Sequence, residues 1–377
     1  MLLKVMTVIG TRPEAIKMAP VIKSLVTYSE EVECVVCITA QHREMLDQAL
    51  KIFEIVPDYD LNVMNPNQSL SRLTANLLTA LDEVIAIEKP DWILVQGDTT
   101  TAMVASLLAY YHRSKLGHVE AGLRTNDKFH PFPEEVNRRI ADILADAYFA
   151  PTQNSRMNLI KEGVSSESIV VTGNTVIDAL MMIAQRVADR PLESGISASI
   201  KNELLILVTV HRRESFGEPL ENICKALARI ASNYPDKVQI VYPVHLNPNV
   251  RKTVYEILSG IPNIALIEPV DYETLVGLMS KAYLILTDSG GIQEEAPSLH
   301  KPVLVLRDVT ERPEAIEAGA AKLVGTDADR IYSETIRLIE EPETYDQMSK
   351  TINPYGDGQA SQRIVRFLLG QQTPHTR

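Results

Sequence analysis

Several apolar runs in this sequence stop abruptly at residues able to bind or move charge. Asp98 follows one such run in Gln96-Gly97-Asp98-Thr99, Glu120 another in Val119-Glu120-Ala121-Gly122, and Glu134 opens a polar stretch after Phe132-Pro133. Carboxylates in such places suit general acid–base work or the stabilisation of a developing cation. Plainer readings exist: Asp98 as the cap of the next helix, and Glu134 with Glu135 as first-turn acids favoured by the helix dipole. Glu120 resists a plain reading, because a glutamate ending a buried strand needs a partner or a task. Arg12, Lys17, Arg43, His211, Arg212, Arg213, His245 and Arg312 would supply positive charge for an anionic ligand. Ser289-Gly290-Gly291 precedes a helix expected over Ile292–Leu299. Two glycines there permit close backbone approach, and the free N–H groups of a helix start suit a pyrophosphate. Glu295, one turn further on, is placed to accept hydrogen bonds from ribose hydroxyls.

The elements that must position these residues alternate from end to end. Strands are expected at Leu3–Ile9, Val32–Thr39, Trp92–Gln96, Leu116–Glu120, Ala147–Ala150 and Ile169–Thr172. A second series follows at Leu204–Val210, Val238–Pro243, Ile264–Glu268, Tyr283–Thr287, Pro302–Leu306 and Lys322–Val324. Helical periodicity lies between them, as in Arg12–Tyr28, Ser69–Glu88, Pro219–Ala231 and Ala328–Glu340. Continuous Val/Ile/Leu runs joined by helices predict parallel sheets covered on both faces, hence an α/β protein with doubly wound topology. In such sheets ligands bind beyond the carboxyl ends of the strands, where the polar residues fall. Ends of both series point to one shared site between two domains. The stretch 184–202 lacks an apolar stripe, and the domain boundary is placed between Gly173 and Asn202.

Composition narrows the classes. At 377 residues the chain is long enough for two domains, each with its own core. A net charge of −12 with no basic block argues against nucleic acid as a partner. No apolar run is long enough to span a membrane, and the opening residues read as a first strand rather than a signal peptide. The 3 cysteines are few and odd in number, so a disulfide scaffold is not expected and a cytoplasmic location is. Cys34 and Cys37 lie three apart in a strand and face opposite sides, which rules out a metal or redox pair. His112, His118 and His130 lack metal-ligand spacing, and both the dinucleotide fingerprint and the phosphate-binding P-loop are missing. No metal and no bound cofactor are expected. Arg138-Arg139 reads as a solvated helix face.

Long motifs then become recognisable. Gly10-Thr11-Arg12-Pro13-Glu14-Ala15-Ile16-Lys17-Met18-Ala19-Pro20, Gly117-His118-Val119-Glu120-Ala121-Gly122-Leu123-Arg124 and His211-Arg212-Arg213-Glu214 resemble the non-hydrolysing UDP-N-acetylglucosamine 2-epimerases. So do the run from Asp288 to Ser298, the run from Arg307 to Pro313, and Asn353-Pro354-Tyr355-Gly356-Asp357-Gly358. The resemblance extends over the whole chain. It implies a glycosyltransferase-B-like fold of two Rossmann-like domains, residues 1–173 and 174–357, with the active site in the interdomain cleft and a last helix, 358–377, returning to the first domain. It places Arg12, Lys17, Asp98, Glu120 and His211 at the substrate, with Glu134 as a third carboxylate. It places Ser289, Gly290, Gly291, Glu295 and Arg312 on UDP, and the backbone near Val270 and Leu275 at the uracil. It further implies a homodimer serving polysaccharide biosynthesis, and a second nucleotide sugar acting as an allosteric activator near Gln41-His42-Arg43-Glu44. The sequence departs from the family pattern at Gln96, where His is frequent, and at His300, where Gly is usual; neither is among the implied chemical residues.

The implied reaction interconverts UDP-N-acetylglucosamine and UDP-N-acetylmannosamine. The proton at C2 is not beside a carbonyl, so direct deprotonation is chemically poor, and the fingerprint for an NAD-linked oxidation is missing. Elimination of UDP to 2-acetamidoglucal, followed by re-addition, needs only a cation cluster for the departing diphosphate and carboxylates for the proton. The three site carboxylates and Arg12, His211 and the Ser289–Gly291 amides meet that need. A hydrolysing epimerase, a glycosyltransferase of the same fold and a non-catalytic nucleotide-sugar sensor are the alternatives.

Overall fold

The computed structural model describes residues 2–39, 43–64, 68–188, 190 and 203–370. The chain divides into two units, one formed by Met1–Ala179 with Gly356–Arg377 and the other by Leu180–Tyr355.

The first unit contains β1 (Leu3–Ile9), β2 (Val32–Ile38), β3 (Tyr59–Asp60), β4 (Trp92–Gln96), β5 (Lys115–Val119), β6 (Ala147–Ala150) and β7 (Ile169–Val171). Between them run α1 (Arg12–Thr27), α2 (Arg43–Ile52), α3 (Leu70–Glu88), α4 (Thr100–His112), α5 (Glu134–Leu144) and α6 (Gln153–Lys161), and α7 (Thr175–Val187) follows β7. The strands form one parallel sheet in the order β3-β2-β1-β4-β5-β6-β7. β4 is buried along its whole length and β1 over its last five residues, as helices on both faces require. One core packs Met6, Val8, Ile93 and Val95 of the sheet against Leu77, Leu81, Val104 and Leu108 of α3 and α4.

The second unit repeats the plan with β8 (Leu204–Thr209), β9 (Val238–Pro243), β10 (Ile264–Ile267), β11 (Leu284–Thr287), β12 (Val303–Val305) and β13 (Ala321–Leu323). Its helices are α8 (Glu218–Asn233), α9 (Pro248–Leu258), α10 (Tyr272–Lys281), α11 (Gly290–Glu295), α12 (Pro313–Ala318), α13 (Ala328–Glu340) and α14 (Pro342–Ser349). The order β10-β9-β8-β11-β12-β13 is again wholly parallel. Side-chain caps start three of its helices: Asn247 for α9, Asp271 for α10 and Asp327 for α13 each accept a hydrogen bond from a first-turn N–H.

The last helix, α15 (Ala360–Leu368), belongs to the first unit. The buried carboxylate of Asp178 in α7 accepts from Ala360 N–H at 3.1 Å, Ser361 N–H at 2.8 Å and the Ser361 hydroxyl at 2.6 Å, capping α15. Phe367 of α15 meets Phe149 of β6 edge-on, with ring centroids 5.5 Å apart.

The strands follow the hydrophobic runs closely. One strand is unexpected and one reading needs correction. β3, a two-residue edge strand, is too short to give a periodic signal. Glu120 does not end a strand: β5 stops at Val119, and Glu120 itself turns the chain with φ +67°.

Candidate active site

In each sheet the strand order reverses between two neighbours whose connections leave in opposite directions, β1 and β4 in the first and β8 and β11 in the second. A doubly wound sheet opens a ligand crevice at that switch point. The chemically distinctive residues of each unit gather at its own switch point.

In the first unit, β1 runs through Gly10 and Thr11 into α1, which carries half-buried Arg12 and Lys17, while β4 runs through Gly97 and Asp98 into α4. The helix α4 is capped by Thr99, whose hydroxyl oxygen accepts from Ala102 N–H at 3.1 Å, so Asp98 is not needed as the cap. Glu14 ties the two loops together: it accepts from Gly10 N–H at 3.0 Å and from the Thr99 hydroxyl at 2.7 Å. Burial pushes its carboxyl up to about 7, against hydrogen bonds from Thr99, Thr11 and Gly10 that pull it down.

Glu120, from the loop after β5, reaches the same place. Its carboxylate accepts from Lys17 Nζ at 2.6 and 2.7 Å, from Asn174 Nδ2 at 3.3 Å and from Gln96 Nε2. A non-glycine residue at φ +67° costs about 1–2 kcal/mol, and these donors hold it there. Gly97 faces it: a Cβ there would stand 3.7 Å from Glu120 Oε2, in ordinary contact. Lys17 is therefore not a bare cation waiting for an anion; it is half of an ion pair. Gln96, which departs from the family pattern at a position outside the implied chemical set, proves to touch the central carboxylate.

The helix α5 completes this half. Glu134 is its first residue, and its Oε2 is buried with no hydrogen-bond partner among the described residues. Its neighbour Glu135 is fully buried and serves the scaffold, accepting from Thr125 and Asn126 N–H and from Arg138 and Arg139. The reading of Arg138-Arg139 as a solvated face fails for Arg138. It is buried, pairs through Nη2 with Asp98 Oδ2, and bonds Glu135 Oε2 through Nη1 at 3.1 Å. Asn137 Nδ2 holds the Asp98 carbonyl at 3.0 Å.

The second unit carries the opposite charge pattern. His211 and Arg212 follow β8, and both of their N–H groups, at 2.9 and 2.8 Å, donate to Asp288 Oδ2 beyond β11. Asp288 also accepts from the Ser215 hydroxyl at 3.0 Å, and its other oxygen lies 3.5 Å from His211 Nδ1. Burial pushes the His211 imidazole below its ordinary value; Asp288 opposes this, and His245, stacked on it with centroids 5.6 Å apart, and Arg212 add to it. The helix α11 begins at Gly290, not at Ile292 as expected, with Ser289 as its N-terminal flanking residue. A Cβ on Gly290 would meet Glu311 Oε1 at 3.2 Å and Arg212 Nη2 at 3.4 Å, a tight fit that the ends of those two side chains would have to yield to. Glu295 is buried one turn along and accepts from the Tyr272 hydroxyl at 3.2 Å. Arg312 flanks α12 and pairs with buried Glu294. Glu311 receives Arg212 at 2.7 Å and Arg307 at 2.6 Å; although burial opposes it, its own backbone N–H and these two arginines hold its carboxyl down to about 2. Beneath α11, Asn353 Nδ2 holds the Glu294 carbonyl at 2.7 Å and Ser298 Oγ at 2.5 Å.

Arg43 is paired with Asp47 at 3.0 Å and Asp60 at 2.5 Å, so it is not an uncommitted cation. Gln41 and His42 lie outside the described residues. Val270 is half-buried in the loop before α10, and Leu275 N–H is already bonded to Asp271 O at 3.0 Å. His300 takes φ +57°, the conformation for which glycine is the usual choice. The groups missed by sequence reading are Gln96, Asn174, Arg138, Glu14, Glu294 and Glu311. Of these only Arg138 left a trace, as the i+4 and i+3 partner of Glu134 and Glu135 on one helix.

The family model for UDP-N-acetylglucosamine 2-epimerase matches residues 26–369. The UDP-N-acetylglucosamine 2-epimerase of Yersinia pestis is 56% identical over 375 residues, which is 98% of this chain and 99% of that protein. The fold is similar to the crystal structure of the Neisseria meningitidis UDP-GlcNAc 2-epimerase bound to UDP-GlcNAc, with TM-score 0.85 and 52% identity, covering 98% of this chain and all of that one. An S. aureus protein in a co-structure with UDP aligns with TM-score 0.83 and 50% identity over 98% of this chain and 97% of its own.

Proposed function

The chain belongs to the UDP-N-acetylglucosamine 2-epimerase family, and we propose that it interconverts UDP-N-acetylglucosamine and UDP-N-acetylmannosamine by elimination and re-addition of UDP. The C1–O bond to the diphosphate breaks with both electrons leaving on UDP, a carboxylate takes the C2 proton, and the C1=C2 bond of 2-acetamidoglucal forms. Protonation of C2 on the opposite face and return of the UDP oxygen to C1 give the epimer. The observation that carries this reading is that Asp98 and Glu120 meet at one switch point, with Glu134 on the helix that holds Asp98, while the cations and glycine-led helix of the second sheet lie at the other.

Roles follow from chemistry. Ser289, Gly290 and Gly291 offer backbone amides to the diphosphate; Arg12 and Arg312 balance its charge, and Glu295 takes the ribose. The backbone near Val270 and Leu275 meets the uracil. His211, kept neutral by burial, can give an N–H to the departing diphosphate. Glu120, paired with Lys17, stabilises positive charge building at C1, while Glu134, whose Oε2 has no hydrogen-bond partner among the described residues, moves a proton. The product would feed surface polysaccharide synthesis, the enzyme working as a cytoplasmic homodimer.

The test is turnover of UDP-N-acetylglucosamine in D2O followed by proton NMR. The product should carry deuterium at C2, and long incubation should label both epimers. A retained C2 hydrogen would exclude elimination.

A further inference from the structure

We propose that His118 is a permanently protonated positioning residue, a buried imidazolium that fixes the main chain from which Asp98 projects. This rests on the functional reading above only through the role given to Asp98.

His118 sits near the end of β5 and is completely buried. Its Nδ1 lies 2.6 Å from Asp142 Oδ1, and its Nε2 lies 2.7 Å from the Gly97 carbonyl oxygen. A carbonyl oxygen can only accept a hydrogen bond, and so can an ionised carboxylate. A neutral imidazole carries one N–H, so either tautomer would leave a nitrogen lone pair facing an oxygen lone pair at hydrogen-bond distance. Both contacts are satisfied only by the doubly protonated ring.

The alternative, a proton on Asp142 instead, conflicts with its surroundings. Asp142 Oδ2 takes Arg124 Nη2 at 2.7 Å and Gly122 N–H at 3.3 Å, and Arg124 is in turn held by Glu162. Although burial pushes the Asp142 carboxyl up, His118 and Arg124 outweigh it and hold the carboxyl low. Burial and Arg124 push the His118 ring down, yet Asp142 and the Gly97 carbonyl leave it raised. The charges near His118 are thus Asp142 in contact, Arg124 on the far oxygen, and Glu162 beyond.

What this cation holds is the loop after β4. Gly97 has φ +70° and presents its carbonyl to the ring, and the next residue is Asp98. Three anchors then define Asp98: the His118 ring on the preceding carbonyl, Asn137 on its own carbonyl, and Arg138 on its carboxylate. Two of them belong to α5, which also carries Asp142 and Glu134, so the ring ties the β4 loop to the helix bearing the third carboxylate.

Nitrogen-15 NMR of histidine-labelled protein tests the protonation state, with His118 assigned through bonds from its own backbone amide. Both ring nitrogens should remain protonated from pH 6 to pH 9, whereas exposed histidines lose a proton. An unprotonated nitrogen on His118 at pH 7 would overturn the proposal, and this measurement on the unmutated chain does not depend on any variant folding. Displacing a catalytic group by about 1 Å typically costs about a hundredfold. His118→Gln and Asp142→Asn should therefore lower kcat roughly a hundredfold with KM and UDP affinity nearly unchanged. If Asp98→Asn is inactive while a folded His118→Gln turns over normally, the positioning role is wrong. If Asp98→Asn also turns over normally, the assignment of Asp98 to catalysis falls instead, and the positioning role with it.

Discussion

The two switch points share one topology and carry opposite chemistry. At the first, the carboxylates are the feature and cations pair with them: Lys17 with Glu120, Arg138 with Asp98. At the second, the cations are the feature and carboxylates hold them: Glu311 beneath Arg212 and Arg307, Glu294 beneath Arg312. Each switch point is also bridged by one buried acid, Glu14 between the β1 and β4 loops and Asp288 between the β8 and β11 loops. The fold thus supplies the same cradle twice, and the loop residues decide which charge each one presents.

Breaking the first switch point should have the largest effect. Asp98→Asn, Glu120→Gln and Glu134→Gln should each lower turnover by ~10²–10⁴-fold, the usual contribution of a positioned acid or base. Glu120→Gln should be the most damaging, because it removes the Lys17 ion pair together with the charge at the centre of the clamp. UDP affinity, measured by calorimetry, should barely move in any of the three. A large loss of UDP affinity in Glu120→Gln would erase the division of labour between the two switch points.

Breaking the second should show the converse. Hydrogen bonds to charged groups are worth ~1.5–3 kcal/mol, so Arg312→Ala should weaken UDP binding by roughly ten- to a hundredfold. Calorimetry returning the unaltered affinity would remove Arg312 from the nucleotide site.

The parts of this contrast that were legible in sequence share one property: they are local. Continuous runs such as Trp92–Gln96 and Leu204–Thr209 announce buried parallel strands, and the polar residues just beyond them announce the strand ends. Local reasoning starts α11 at Ile292, since Gly290 and Gly291 are poor helix formers; Glu311 and Arg212, the neighbours a Cβ on Gly290 would meet, come from distant segments. Arg138 was misread for the same reason. Its target, Asp98, stands forty positions earlier and meets it only once β4 and α5 are packed. Gln96 and Asn174 likewise acquire meaning only through Glu120, whose left-handed backbone no residue pattern announces.

The buried bridging acids offer the smallest and most specific test, and Glu14 gives it a pH signature. Burial raises its carboxyl from the ordinary 4.5 to about 7. Below pH 4.5 the folded and unfolded chains both hold this proton. Between 4.5 and 7 only the folded chain holds it, so folding binds a proton and stability falls as pH rises; above 7 the loss is complete. A shift of that size corresponds to roughly 3 kcal/mol at most. In Glu14→Gln the side chain keeps its length, its amide oxygen can still accept from Gly10 N–H, and nothing titrates. Urea unfolding between pH 5 and pH 8 should therefore show a steeper fall in stability for the unmutated chain than for Glu14→Gln, with the two diverging most above pH 7. Because every other titrating group is common to both proteins, the difference between the curves isolates Glu14. Parallel curves would mean that Glu14 is ionised throughout, and that the first switch point is bridged by a charge.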